Sequence, residues 1–385
     1  MAHWILLGNP ANRRITAFCA ALSEAGQTFE VCSWSAFLAD PRALPSTPEA
    51  FLRLDSTGED PHVEQALLRL GRDRAEAEGV WVASQGEIAA LPGRFGAILA
   101  PRQLHLGFLE ALDPLDECVR VRPGWTVLTP TPTVRLCFDK RESQRFLAGI
   151  GVPVAPSIEV AGGVPSPGPD GVVIKLASGS SASCLGIWRK GARGPELYTS
   201  IEHTPTGLYN SLRPRAYSGR VAHDLVRMLL REGAHVEAFI PKAEIDGQNF
   251  DLRVLLVGGA PAFTIVRRSP LPITNLHLGG TRADPGRLAE TVPASILCAI
   301  DAAMYGIGAA LPALHLGVDV MIERDPPPGS PGFRVLEVNA FGDLLPNLTR
   351  RAEAREWSVY DWEIHVALGS APGSPPQRRC PTQAP

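Results

Sequence analysis

Short apolar runs alternate with stretches of helical spacing over the first 130 residues. Residues 4–8 (WILLG) and 29–34 (FEVCSW) predict strands, the first closing on Gly8-Asn9-Pro10. Residues 15–25 and 62–78 repeat apolar positions every three to four and predict helices. Residues 95–100 predict a further buried strand ending at Pro101. Strands alternating with helices favour a parallel, doubly wound sheet. That arrangement places ligand positions at strand C-terminal ends, near Gly8-Asn9-Pro10 and residues 101–107.

The next segment, residues 134–148, predicts a helix that stops at Gly149-Ile150-Gly151-Val152-Pro153. A Pro/Gly turn at 161–171 precedes the strand Val172–Leu176, residues 203–219 are loop-like, and 222–231 are helical. From His235 the pattern turns β-rich, with strands over 235–240, 251–258, 261–267, 318–323 and 333–338 and a helix over 296–311. The Pro-rich, basic residues 370–385 predict a disordered tail.

Composition narrows the class. At 385 residues and 41.2 kDa the chain has length for two or three domains. A net charge of −3 and a pI near 6.3 give no general grip on nucleic acid or anionic membranes, so neither is expected as a partner. No stretch approaches 18 uncharged apolar residues, and the start, MAHWILLGNPANRR, lacks the order of a signal peptide. Seven cysteines, far apart and without CxxC, suggest free thiols rather than a zinc site or disulfide framework. A cytoplasmic protein is expected. Of 37 basic residues only Lys140, Lys175, Lys190 and Lys242 are lysine. Where arginine replaces lysine so widely, the surviving lysines mark candidate positions for a compact point charge. Lys190, beside Gly191, is the one most readily left to drift.

Four constellations carry chemistry. In GVDVMIERDPPPGSPGFRVLEVNAFGD two apolar strands flank the turn-rich residues 325–332, which predicts a hairpin. A register symmetric about Pro328 sets Asp319 across from Glu337, with Asn339 on the same face as Glu337. Two carboxylates and an amide oxygen make a hard-oxygen site suited to Mg²⁺, or else a solvated strand face. In VVIKLASGSSASCLGI, Lys175 projects from a strand into a Ser/Gly-rich loop whose N–H groups could approach phosphate. A flexible linker is the alternative, and no GxxxxGK[ST] motif is present. In HVEAFIPKAEIDGQNFDLRV, Glu237 alternates with Phe239, and Asp251 shares a face with Arg253, the latter pair also readable as a surface ion pair. In IVRRSPLPITNLHLGGTR, two arginines suited to bidentate anion contact lead into Asn275, His277 and a Gly pair.

In order and spacing these constellations resemble the ATP-grasp superfamily, and within it the RimK-like branch, which joins amino acids to the ends of peptides or proteins. The resemblance covers about residues 134–349: GIGVPVAPS after a helix, VVIK with its Gly/Ser loop, VEAFI, DLRV, TNLHLGG, then VDVM with LEVNA. It implies an α/β and α+β multidomain chain. A doubly wound α/β domain (1–130) would precede a two-lobed ATP-grasp fold, with a central lobe (131–240), a C-terminal lobe (241–369) and the tail (370–385).

The resemblance also implies roles. Lys140 and Lys175 match the nucleotide- and phosphate-contacting lysines, and Ser178, Gly179, Ser180, Ser181 and Gly186 belong to the loop that closes over the phosphates. Glu237, Ala238, Phe239 and Ile240 form the hinge that reads adenine, and Asp251 with Arg253 lies by the triphosphate and acceptor. Arg267, or its neighbour Arg268, stabilises transferred phosphate, and Asn275 sits beside the metals. Asp319, Glu337 and Asn339 match the Mg²⁺ ligands, with Mn²⁺ as an alternative. The implied activity is ATP-dependent ligation of a carboxylate donor to an amine acceptor, a peptide, protein or amino-acid-like molecule, through an acyl phosphate. Alternatives are a peptide-crosslinking ligase of a natural-product pathway, a kinase, or an ATP-binding partner protein without turnover. Arg102, His105 and Arg122 are cationic candidates for an acidic substrate, or members of a solvated face.

Overall fold

The computed structural model describes residues 2–370, except 161, 180–182, 193, 342–344 and 353–354. Ser180, Ser181 and the tail beyond residue 370 therefore lie outside the described residues.

In the N-terminal part, β1 (His3–Gly8), β2 (Thr28–Ser33), β3 (Ala50–Leu54) and β4 (Trp125–Val127) form a parallel sheet of order β2-β1-β3-β4. The doubly wound expectation holds, but two of its elements differ. Residues 95–100 are not a strand: Phe95 is fully exposed, and only Ala97 makes a bridge, to Tyr209. Pro101 instead opens the 20-residue helix Pro101–Arg120, so residues 101–107 are helix rather than a loop at a strand end. The helix expected over 62–78 is two, Pro61–Leu70 and Arg72–Glu78, broken at Gly71. A Cβ at Gly71 would lie 2.1 Å from the Gln103 carbonyl oxygen, so this junction meets helix Pro101–Arg120 backbone to backbone.

The second part is an antiparallel sheet of β5 (Val172–Leu176), β6 (Gly186–Gly191), β7 (Gly194–Thr204), β8 (Gly207–Ser218) and β9 (Ala234–Ala238), in the order β8-β7-β6-β5-β9. Residues 203–219, expected as loop, form most of a long hairpin, with Ile201 across from Asn210 and Tyr198 from Ala216. Helix Gly219–Arg231 covers the sheet through Leu225, Val226 and Leu229.

The third part is built on β10 (Glu244–Ile245), β11 (Gln248–Val257), β12 (Ala260–Ser269), β13 (Thr281–Ala283), β14 (His315–Ile322) and β15 (Phe333–Asn339). Their order is β13-β12-β11-β14-β15, with β10 paired to β11. Helix Ala294–Ala310 packs on this sheet through Ile300, Met304 and Ile307. A two-stranded hairpin, β16 (Thr349–Ala352) and β17 (Arg355–Ser358), leads into helix Val359–His365. One apolar core runs through Ile5, Leu7 and Leu52 of the parallel sheet into Phe250, Val254, Val318 and Val338 of the C-terminal sheet. At this joint the buried Arg53 guanidinium pairs with Glu363, whose other oxygen is 2.7 Å from His315 Nδ1.

No helix among the described residues is long and apolar enough to cross a membrane. Cys19, Cys32, Cys118, Cys137 and Cys184 are free thiols as expected, but Cys298 is disulfide-bonded, which departs from that expectation.

Candidate active site

A cleft with a cavity of about 140 Å³ opens between the β5–β9 sheet and the C-terminal sheet. Its floor is set by strand register. Asp319 on β14 pairs directly with Glu337 on β15, as the symmetry about Pro328 predicts, and a bulge follows between Asp319 and Val320. On the other side of β14, Arg253 of β11 faces Asp319, and on the other side of β11, Arg267 of β12 faces Asp251. Alternation along these strands therefore lays carboxylates and guanidinium groups next to one another across four strands.

The side chains close into a network. Arg253 Nε is 2.6 Å and Arg267 Nη2 3.1 Å from Asp319 Oδ1, while Arg267 Nε donates to Asp251 Oδ1 at 2.7 Å. Lys140 Nζ is 3.3 Å from Glu337 Oε2 and donates to the Gly179 carbonyl. Lys175 Nζ is 2.9 Å from Glu237 Oε1, and Gln144 Nε2 donates to Glu237 Oε2 at 2.9 Å. Lys242 Nζ donates to Asp251 Oδ2 and to Thr274 Oγ1, both at 2.7 Å.

These pairings decide the protonation states. Burial disfavours charge on Glu337, yet Lys140, Lys175 and Arg253 hold it at about 2. Burial likewise opposes ionisation of Glu237, and Lys175 and His235 overcome it to give about 2. Asp251 is also lowered, with Lys242 and Arg267 outweighing its burial. Asp319 goes the other way, to about 6, because burial and the neighbouring Glu337 and Asp251 carboxylates outweigh Arg253 and Arg267. A divalent cation would relieve that like-charge crowding.

The donor chemistry fits such an ion. Asp319 Oδ1 is buried without a well-aligned hydrogen bond despite its nearby arginines. Asn339 Nδ2 donates to Gly317 O and Glu337 Oε1, both at 3.3 Å, which places the amide beside the carboxylate pair. Among the described residues no three His, Cys, Asp or Glu side chains converge, so the oxygen set is two carboxylates and one amide.

Of the residues singled out by sequence, Lys140, Lys175, Gly179, Glu237, Ala238, Phe239, Ile240, Asp251, Arg267, Asn275, Asp319 and Glu337 line the cleft. Arg253 and Asn339 reach it through Asp319 and Glu337. Ser178 is not among the lining residues, and Gly186 begins β6, where a Cβ would meet Leu197 Cδ1 at 2.7 Å. Packing alone thus accounts for that glycine. Arg267 faces the cleft, whereas Arg268, one residue on, points away to Asp246 at 3.1 Å. Asn275 Oδ1 caps a short turn by accepting from His277 N at 2.8 Å. Arg102, Arg122 and His105 lie elsewhere: Arg102 pairs with Glu78, Arg122 stacks on Trp125, and His105 is buried. The sequence reading gave no site role to Gln144, Thr274 or Lys242. For Lys242 the signal was present, since three of the four lysines line this one cleft.

No protein-family model matches the chain, and no curated protein matches it in sequence. Solved structures do match in shape. The Chryseobacterium gregarium RiPP-associated ATP-grasp ligase, in complex with ADP and a leader and core peptide, is 12% identical. The match covers 97% of this chain and 98% of that one, with a TM-score of 0.52. Macrocyclase MdnC from Microcystis aeruginosa MRC, bound with precursor peptide MdnA, is 12% identical over 96% of this chain and 100% of that one, with a TM-score of 0.50. This chain has the ATP-grasp fold. The cleft, with its lysines and carboxylates, lies between two of the sheets that make up this fold.

Proposed function

We propose that this chain is an ATP-dependent carboxylate–amine ligase of RimK-like type that works through an acyl phosphate. The observation that carries the reading is the Asp319–Glu337 pair at the floor of a cleft ringed by Lys140, Lys175, Arg253 and Arg267. A cation-rich cleft suits a polyphosphate, and an opposed carboxylate pair suits the ion that accompanies it.

Ala238, Phe239 and Ile240 would hold the base. The Ala238 and Phe239 N–H groups are engaged by Pro156 O and Gly171 O, while Ile240 lies beyond the end of β9. Lys140 and Lys175, released from Glu337 and Glu237, would neutralise phosphate oxygens. Asp319, Glu337 and Asn339 would hold Mg²⁺ or Mn²⁺, which would offset charge on the transferring phosphoryl group.

The donor carboxylate oxygen attacks the γ-phosphorus and the bond to ADP breaks, giving the acyl phosphate. The amine then attacks the acyl carbon and inorganic phosphate leaves, while the amine proton passes to phosphate or solvent. Arg267 and Arg253 stabilise negative charge in both steps, so positioning and electrostatics supply most of the rate. A peptide substrate is favoured by the two solved structures of like fold, which hold a leader and core peptide or a precursor peptide.

The test is Mg·ATP turnover with hydroxylamine and a panel of carboxylic acids and peptides. ADP with a hydroxamate on one acid is expected. AMP with pyrophosphate would overturn the mechanism.

A further inference from the structure

Three lysines line the cleft, and the third has been given no part in the reaction described above. Lys242 follows the hinge and forms a bridge to Glu323, which fixes its backbone against the C-terminal sheet. Its ammonium does not point at either proposed metal carboxylate. It donates 2.7 Å hydrogen bonds to Asp251 Oδ2 and Thr274 Oγ1, and Thr274 itself donates to Asp251 Oδ2. The other oxygen of the same carboxylate takes Arg267 Nε, and Arg267 Nη2 reaches Asp319. Asp251, Thr274 and Arg267 are all buried, so none of these bonds competes freely with water.

We infer that Lys242 and Thr274 are positioning residues: they clamp one oxygen of Asp251 so that the other aims Arg267 across the cleft. A carboxylate with one donor on a single oxygen can rotate about its Cβ–Cγ bond. Donors on both oxygens fix its plane, and with it the direction of the guanidinium. Lysine suits this place better than arginine because one compact ammonium meets two oxygens at 2.7 Å, which a planar fork cannot do in the same space. That requirement explains why a chain with so few lysines keeps one here. The inference rests on the ATP-binding reading of the cleft and on Arg267 facing the terminal phosphate.

The test is a double-mutant cycle on nucleotide affinity, which needs no knowledge of the acid or amine. Calorimetry of Mg·AMPPNP and Mg·ADP is run on the wild type, Lys242→Met, Arg267→Met and the double variant. Each single change is expected to weaken Mg·AMPPNP roughly tenfold and Mg·ADP far less, and the double variant should be no worse than Arg267→Met. Thr274→Val, which removes the second donor and keeps the shape, should give a smaller loss that also vanishes on the Arg267→Met background. It serves as the cycle partner if Lys242→Met fails to fold. Lys242→Arg should not restore wild-type affinity. If the losses multiply, or if Lys242→Met binds Mg·AMPPNP as the wild type does, the inference is overturned. If the wild type binds neither nucleotide, the ATP reading itself falls.

Discussion

Two buried ionic networks lie in this molecule, built from the same side-chain types, and they differ in what surrounds them. At the domain joint, Arg53, Glu363 and His315 are almost wholly buried among Phe18, Tyr360 and the parallel sheet. In the cleft, Asp251, Asp319, Arg267 and Lys140 are buried and Glu337 and Arg253 half-buried, in a network that opens onto a cavity. Glu363 and Glu337 are both held at about 2 against the pull of burial. A shifted carboxylate alone therefore does not separate architecture from chemistry. Access does. The joint pairs its charges with one another, and none of its three residues lines the cleft. In the proposed reading, the cations of the cleft would exchange a carboxylate for a phosphate.

The largest expected effect breaks the cleft network. Glu337→Ala should lower turnover by about 10³-fold or more while leaving the melting temperature near wild type, because a proposed ion ligand is lost. Retained turnover would remove Glu337 from the site. Next comes the joint. Arg53→Met should destabilise the fold by about 3–5 kcal/mol, since Glu363 is left as an uncompensated buried charge. The folded fraction should still bind Mg·ATP with unchanged affinity, and a loss of affinity without a loss of stability would reverse the comparison. Lys175→Arg should weaken nucleotide binding by about tenfold, because a bulkier fork replaces a point charge beside Glu237. Arg268→Ala, which loses only the outward pair with Asp246, should change affinity by less than about twofold.

Acid stability sharpens the contrast further. Glu363 ionises at about 2 when folded, well below the ordinary 4.5. Its contribution is whole above about pH 4.5 and is lost as the pH falls towards 2. His105 is held at about 4 by burial and by Arg102, below its ordinary 6.5. The unfolded chain then takes up a proton that the folded chain refuses, so stability also declines between pH 6.5 and 4. Denaturant unfolding from pH 7 to 4 should show this decline, and His105→Gln should flatten it. An unchanged slope in that variant would mean the decline has another source.

Much of the site was legible because its geometry is local. The hairpin register that pairs Asp319 with Glu337 depends only on strand alternation and on where the turn is centred. Lys175 in its strand and the Asp251/Arg253 face follow from the same period. Arg267 and Arg268 could not be told apart until β11 and β13 flanked β12 and fixed which face meets the cleft. Residues 95–100 look like a strand in composition, yet they form only a bridge to the β7–β8 hairpin, with Phe95 in solvent. That hairpin in turn was hidden by the proline and polar residues of an exposed edge strand.

The sequence by itself determined much of the order of the elements, the register of the carboxylate pair and the lysines that were worth following, because strand period, turn centre and composition are properties of nearby residues. The tertiary structure alone decided three other things. It brought Lys242 and Thr274 onto Asp251, it joined the first and last segments through Arg53 and Glu363, and it set one of the two ionic networks on a cleft. The reason is physical. Each of those outcomes depends on how separate sheets pack and on how much water their packing excludes, and no local pattern encodes that.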